Sequence, residues 1–124
     1  MHPFRAAVEA GDIDAATALL GDDPRFNSPV TYKPFEGREA VETVLRAAFR
    51  VLENLRYTDE LVGEDGTHAL FFTARVGERD VQGVDVLRFG PDGRIDDFTV
   101  MVRPMSGVHA LAEAMGKQLG FITE

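Results

Sequence analysis

One stretch, Gly83 to Pro104 (GVDVLRFGPDGRIDDFTVMVRP), restricts the fold more than any other. Two segments rich in Val, Ile, Phe and Thr flank the turn formers Gly90-Pro91-Asp92-Gly93, which predicts two antiparallel strands and a tight connection. Pro91-Asp92-Gly93 suits a three-residue loop, a type I turn followed by Gly93 in the left-handed region. That loop pairs Gly90 with Arg94, Phe89 with Ile95 and, with an even register, Asp85 with Thr99.

Side chains of a strand alternate between two faces. One face then carries Asp85, Leu87, Phe89, Ile95, Asp97, Thr99, Met101 and Arg103. It is apolar with a few polar groups set among the apolar ones, the composition of a pocket wall. The other carries Val84, Val86, Arg88, Asp96, Phe98, Val100 and Val102. An outer face so apolar needs a partner, and the expectation is a homodimer through Val84, Val86, Phe98, Val100 and Val102.

The remaining elements fit one domain spanning residues 1–124. Pro3 starts a helix that stops at Gly11, and Asp12 caps a second helix running through Leu20. Gly21-Asp22-Asp23-Pro24 reads as a turn, Arg25 to Val30 as a short strand and Thr31 to Gly37 as an irregular loop. Pro29 confines that strand to an edge or an end. Arg38 to Leu55 is a long amphipathic helix with Val41, Val44, Leu45, Ala48, Phe49 and Leu52 at helical spacing. Arg56 to Val62 is a strand that shows Tyr57, Asp59 and Leu61 on one face. His68 to Val76 is the next strand. Ser106 caps a last helix that ends at Leu119 and Gly120, with Val108, Leu111, Ala112 and Met115 as its apolar side. Helices segregated onto one face of an antiparallel sheet define an α+β fold.

Charge and cysteine content narrow the function. The net charge of −8 argues against nucleic-acid and anionic-membrane partners, which need a basic face. With no cysteine, there is no disulfide, thiol catalysis or Cys-ligated metal. No run reaches transmembrane length and the N-terminus has no apolar signal core, so the expected setting is cytoplasmic. The Ala, Gly, Asp, Arg and Val bias points to a GC-rich bacterial genome. His2, His68 and His109 are scattered, without ligand spacing such as HExxH, so no metal and no cofactor is expected.

The order of elements resembles the nuclear transport factor 2-like superfamily and, within it, the SnoaL-like proteins. The landmarks are Ala10-Gly11-Asp12-Ile13-Asp14, Phe26-Asn27-Ser28-Pro29-Val30, Glu36-Gly37-Arg38-Glu39-Ala40-Val41, and Val84-Asp85-Val86-Leu87-Arg88-Phe89 followed by Asp92-Gly93-Arg94-Ile95. The resemblance implies a curved antiparallel sheet wrapped around helices, a cone with an internal pocket. It does not fix the chemistry, because the superfamily hosts isomerases, hydrolases, cyclases, dehydratases and non-enzymes. Ketosteroid isomerase in this superfamily uses a Tyr and a protonated Asp as oxyanion donors and a second Asp as base. Carried onto this chain, the oxyanion Asp falls on Asp85, the Tyr on Phe4 and the base on Ser28. Phe4 has no hydroxyl and Ser28 cannot take a carbon-bound proton near neutral pH, so that activity is not expected. The Asp-Arg-Asp relay of limonene epoxide hydrolase would fall to Arg75, Asp85 and Asp97.

Asp85 is the strongest candidate for chemistry. It sits mid-strand among apolar residues, where desolvation should raise its pKa above the model value of about 3.9 and leave it a hydrogen-bond donor. Its bland reading is a structural carboxylate bonded to Thr99 or a tyrosine hydroxyl. Asn27, Tyr32 and Tyr57 are candidates for polar pocket contacts, Leu87, Thr99 and Met101 for its wall, and Arg103 for an acidic ligand group. Two functions follow. The first is a binding domain that holds a small, mostly apolar molecule oriented by Asp85. The alternative is an enzyme of the isomerase, hydrolase or cyclase type, with Asp85 as acid or base on a carbonyl, epoxide or polyketide-like substrate. An acid–base enzyme needs a second titratable group near the first. A third class, a protein-interaction domain, would use the outer sheet for a different partner.

Overall fold

The computed structural model describes residues 1–120. Four helices and six strands follow in the order α1 (Pro3–Glu9), α2 (Ile13–Thr17), β1 (Leu20–Asn27), β2 (Phe35–Glu36), α3 (Arg38–Val51), β3 (Glu53–Val62), β4 (His68–Val76), β5 (Arg79–Phe89), β6 (Ile95–Arg103) and α4 (Met105–Leu119). The strands form one sheet in the order β2-β1-β6-β5-β4-β3. Strands β3 to β6 are an antiparallel meander, and β1 adds to β6 in parallel. The helices cover one face of this sheet, as an α+β fold requires. The core gathers Phe4 and Ala7 of α1, Val41, Val44 and Leu45 of α3 and Leu111 of α4 against Leu70, Phe72, Leu87, Ile95 and Phe98 of the sheet. Among the described residues no helix is long and apolar enough to cross a membrane.

Local chemistry explains most boundaries. Pro3 opens α1, and the His2 ring, through Nδ1, accepts the Phe4 amide at 3.0 Å as its cap. Asp12 caps α2 by accepting from the Ala15 amide. Gly120 ends α4 at φ 82°, in the region glycine adopts freely. Ser106 does not cap that helix. Pro104 holds the cap position and makes no side-chain bond.

Two segments differ from expectation. Strand β1 begins at Leu20 rather than Arg25, so α2 ends early and Gly21-Asp22-Asp23-Pro24 is strand rather than turn. The reason is tertiary. Leu20 pairs with Ile95, and the Leu20 carbonyl accepts from Arg38 Nη1 at 2.6 Å and Arg94 Nη2 at 2.8 Å. Helix α3 ends at Val51, and β3 begins at Glu53 instead of Arg56 because Glu53 already pairs with Arg75.

The central hairpin holds the main correction. Gly90 pairs with Arg94 and Phe89 with Ile95, as the loop predicts, but the next pair is Arg88 with Asp97. Asp96 is therefore an extra residue, a β-bulge. Beyond it Asp85 lies opposite Val100 and Val86 opposite Thr99. A one-residue slip exchanges the faces of a strand. Phe98, Val100 and Val102 consequently turn inward, and Asp97, Thr99, Met101 and Arg103 turn outward. Phe98 is 1% exposed and Met101 59%. The expected outer patch thus retains Val84 and Val86 and loses Phe98, Val100 and Val102. A second bulge, at Thr58, separates inward Tyr57 from outward Asp59 and Leu61.

Candidate functional site: a cavity with one carboxyl group

Between the sheet and helices α3 and α4 lies a cavity of about 130 Å³. Its walls come from apolar stripes that a helical period makes legible: Val44, Leu45, Ala48, Phe49 and Leu52 from one helix and its end, and Leu111, Ala112 and Met115 from the other. The sheet contributes Phe26, Phe98, Val100, Val102 and Asp85. Ser28 to Thr31 rim it beside Gly116 and Leu119 of α4, and the exposure of Val30 and Thr31 marks that side as the mouth.

Asp85 is the only ionisable side chain that lines this cavity among the described residues. It is 4% exposed, and the Tyr57 hydroxyl donates to its Oδ2 at 2.9 Å. Burial raises the Asp85 pKa to about 7, against a smaller lowering by the Tyr57 bond. Burial is also the first cause that pushes the Tyr57 phenol up, and the Asp85 charge and bond add to it. Among the described residues no cation pairs with this carboxyl group. A proton is then what relieves its desolvation. In the neutral form Tyr57 donates to one oxygen, and the acid proton on the other can be given to a ligand oxygen in the cavity.

The other expected site residues separate into three places. Tyr57 joins Asp85. Leu87 is fully buried in the core and does not line the cavity. Asn27, Thr99, Met101, Arg103 and Tyr32 lie elsewhere: the Asp96 bulge turns Thr99, Met101 and Arg103 of β6 outward, Asn27 of β1 pairs with Thr99, and Tyr32 stands on the loop after β1. Asn27 Nδ2 bonds both carboxylate oxygens of Asp97 at 3.2 Å and Thr99 Oγ1 at 2.9 Å, a cluster on the outer face. Tyr32 is fully exposed on the loop beside this cluster. Arg103 donates to Gln82 Oε1 at 3.1 Å and has no contact with the cavity. Thr99, directly opposite Asp85 in the expected register, therefore gives Asp85 no bond.

Neither catalytic pattern assembles. Phe4 is fully buried, with its ring centroid 5.2 Å from that of Phe98. Ser28 lines the cavity but is no base. For the relay, Arg75 faces outward and pairs with Asp80 at 3.5 Å, and Asp97 also faces outward, so only Asp85 is inside. Among the described residues no group of three or more His, Asp and Glu side chains converges as a metal site.

Sequence reasoning passed over Arg38 and Arg94, which hold the start of β1, and the inward facing of Val100 and Val102. The bulge carries its own signal in glycine: a Cβ on Gly21 would stand 2.6 Å from Asp96 Oδ1, and a Cβ on Gly90 would come closer still to the same carboxylate.

With this geometry in view, the comparisons are specific for fold. The model of the SnoaL-like domain matches residues 2–98. A crystal structure of a steroid delta-isomerase from Pseudomonas aeruginosa is 43% identical, with a TM-score of 0.89 over 94% of this chain and 85% of that one. An uncharacterised protein with a cystatin-like fold from Silicibacter pomeroyi is 38% identical, with a TM-score of 0.88 over 97% of this chain and 87% of that one. The epoxide hydrolase/cyclase-like enzyme SalBIII, which has a role in pyran ring formation in salinomycin, shares the fold at 23% identity, with a TM-score of 0.68 over 84% of this chain and 87% of that one. No curated protein matches the chain.

Proposed function

The chain belongs to the SnoaL-like domain family, and on that premise we propose that it binds a small, neutral, mostly apolar molecule in its cavity and orients it by one hydrogen bond from protonated Asp85. A single observation carries this reading: Asp85 is the sole ionisable group among the lining residues, and nothing cationic accompanies it. Proton transfer through an enzyme site wants two titratable groups with separated pKa values. An anionic ligand would meet no positive charge here. The volume supports a small occupant, since about 130 Å³ is close to the ~150 Å³ cavity that takes up benzene.

The steroid delta-isomerase relative favours the enzyme as a second reading. Against it stand Phe4 and Ser28 in place of a hydroxyl donor and a base. Two measurements separate the readings. Thermal shift with a panel of neutral single-ring ketones and phenols should show stabilisation that Asp85→Asn largely keeps and Asp85→Leu loses. Assay with a 5-ene-3-ketosteroid should give only background turnover. Robust turnover that Asp85→Asn abolishes would overturn the binding reading. The proposed setting is cytoplasmic, where a cysteine-free fold needs no oxidising environment.

A further inference from the structure

Among the described residues three polar side chains line the cavity, and they stand at its two ends. Asp85 is at the inner end, 4% exposed. Ser28 and Thr31 stand at the mouth, Ser28 half-buried and Thr31 exposed. The lining between them is apolar. The register of the sheet relates the two ends. Phe26 of β1 lies beside Phe98 of β6 and Asn27 beside Thr99, so the next residue, Ser28, falls beside Val100. Val100 lies opposite Asp85 of β5. Ser28, Val100 and Asp85 thus make one cross-strand row, and the alternation that turns Phe26 inward turns Ser28 inward as well. Ser28 Oγ accepts the Val30 amide at 3.0 Å, which holds the hydroxyl in place. Among the described residues no group accepts the proton of that hydroxyl.

We propose that Ser28 is the second anchor of the ligand, and that the occupant is a single-ring molecule with an oxygen at each end, one held by Asp85 within and one by the Ser28 hydroxyl at the mouth. This rests on the reading that the cavity binds a neutral molecule through Asp85, and it names the class of that molecule. Two strand spacings of about 4.8 Å set the two residues about 10 Å apart. A hydrogen bond of about 2.8 Å at each end then leaves roughly 5–10 Å between the two ligand oxygens. Oxygens para to each other on a six-membered ring bridge that span, and ortho oxygens fall short of it. The apolar wall between packs on the ring and offers a third oxygen no partner, so a polar group buried there would lose its water without replacement. Thr31 is exposed, and water serves its hydroxyl. The half-buried Ser28 hydroxyl faces the cavity, and a ligand oxygen there is the acceptor that its proton lacks within the chain.

Titration calorimetry with para-hydroxyacetophenone and para-methylacetophenone compares two ligands of like size that differ in the second oxygen. The wild type should bind the hydroxy compound about threefold tighter or more. Ser28→Ala and Ser28→Cys, the second close in size but a weak donor, should each remove that preference while the methyl compound binds within about twofold of its wild-type affinity. Thr31→Val should leave the preference in place. Asp85→Leu should lose both ligands. Equal binding of the two ketones by the wild type, a preference that survives Ser28→Ala, or one that Thr31→Val removes would each overturn the role of Ser28 and leave binding through Asp85 standing. If neither ketone binds, or if Asp85→Leu changes nothing, binding through Asp85 falls and the second anchor falls with it.

Discussion

Asp85 exchanges the hydration of a charge for the company of one hydroxyl, and the cost falls on its ionised form. Its pKa moves from 3.8 to about 7 on folding, so the protonated form favours the native state. That contribution is complete below about pH 4 and is lost as pH rises through about 7; at 1.36 kcal/mol per unit it is on the order of 4 kcal/mol. Denaturant unfolding of the wild type and Asp85→Asn from about pH 4 to about pH 8 tests this. The wild type should lose stability relative to the variant across that range, and the opposite slope would show an ion-paired carboxylate. Tyr57→Phe removes the bond that lowers this pKa, so the carboxyl carbon of Asp85 should titrate at higher pH in that variant, at a stability cost of about 1 kcal/mol. A buried aspartate with a tyrosine partner was legible in the sequence, because an acidic residue inside an apolar strand needs a donor. Which tyrosine was not, since Tyr57 meets Asp85 across an intervening strand.

Single elements depend on contacts that their own sequence does not show. Helix α1 is capped by the His2 ring, whose pKa is lowered first by burial and then by His68, against an upward pull from Glu60. The ring lies 4.8 Å from that of His68 and 5.1 Å from that of Phe89. A lowered histidine stabilises the fold as the neutral base, so the support is present above about pH 6.5 and is lost as pH falls through the folded value. Protonation also removes the acceptor for the Phe4 amide. His2→Asn keeps an acceptor there without a titration. The acid-side increase in opening of the Phe4 amide, read by hydrogen exchange, should appear in the wild type and vanish in this variant. On β5, Gly83 lies beneath the Phe72 ring, and an added Cβ would also stand 2.7 Å from the Met101 carbonyl oxygen. Gly83→Ala should cost about 1–3 kcal/mol by urea unfolding. The hairpin loop and the first pairs of β5 and β6 could be read from Pro91-Asp92-Gly93 alone. The bulge could not, because the room for the Asp96 carboxylate comes partly from Gly21 on another strand. Gly21-Asp22-Asp23-Pro24 misled for the same reason: local chemistry says turn, and Arg38 and Arg94 make it strand.

At the scale of the whole molecule the helices and the sheet leave space where they fail to meet, and that space is the site. Ala48 lines it without filling it. Ala48→Phe should occupy the cavity and abolish the thermal shift given by neutral ligands, while the melting temperature of the free protein stays equal or rises. A fall in melting temperature with ligand response intact would mean that the ligand binds elsewhere. The titrations of buried Asp85 and half-buried His2 oppose each other, Asp85 favouring acid and His2 favouring alkali. Stability should therefore fall more steeply toward alkaline pH in His2→Asn than in the wild type, because that variant keeps the Asp85 titration and loses the one that opposes it. Asp96 finally links the inside of the molecule to its outside. Were Asp96 to pair with Arg88 instead of bulging, the inner and outer sets of β6 would exchange, and Phe98, Val100 and Val102 would leave the cavity wall for the outer face of the sheet. A lineage that drops this one codon would therefore keep its cavity wall and its outer surface, since Phe89–Ile95, Arg88–Asp97 and Leu87–Phe98 are already the pairs of an unbulged hairpin, and the bulge is a spare residue that evolution can discard without redrawing the site.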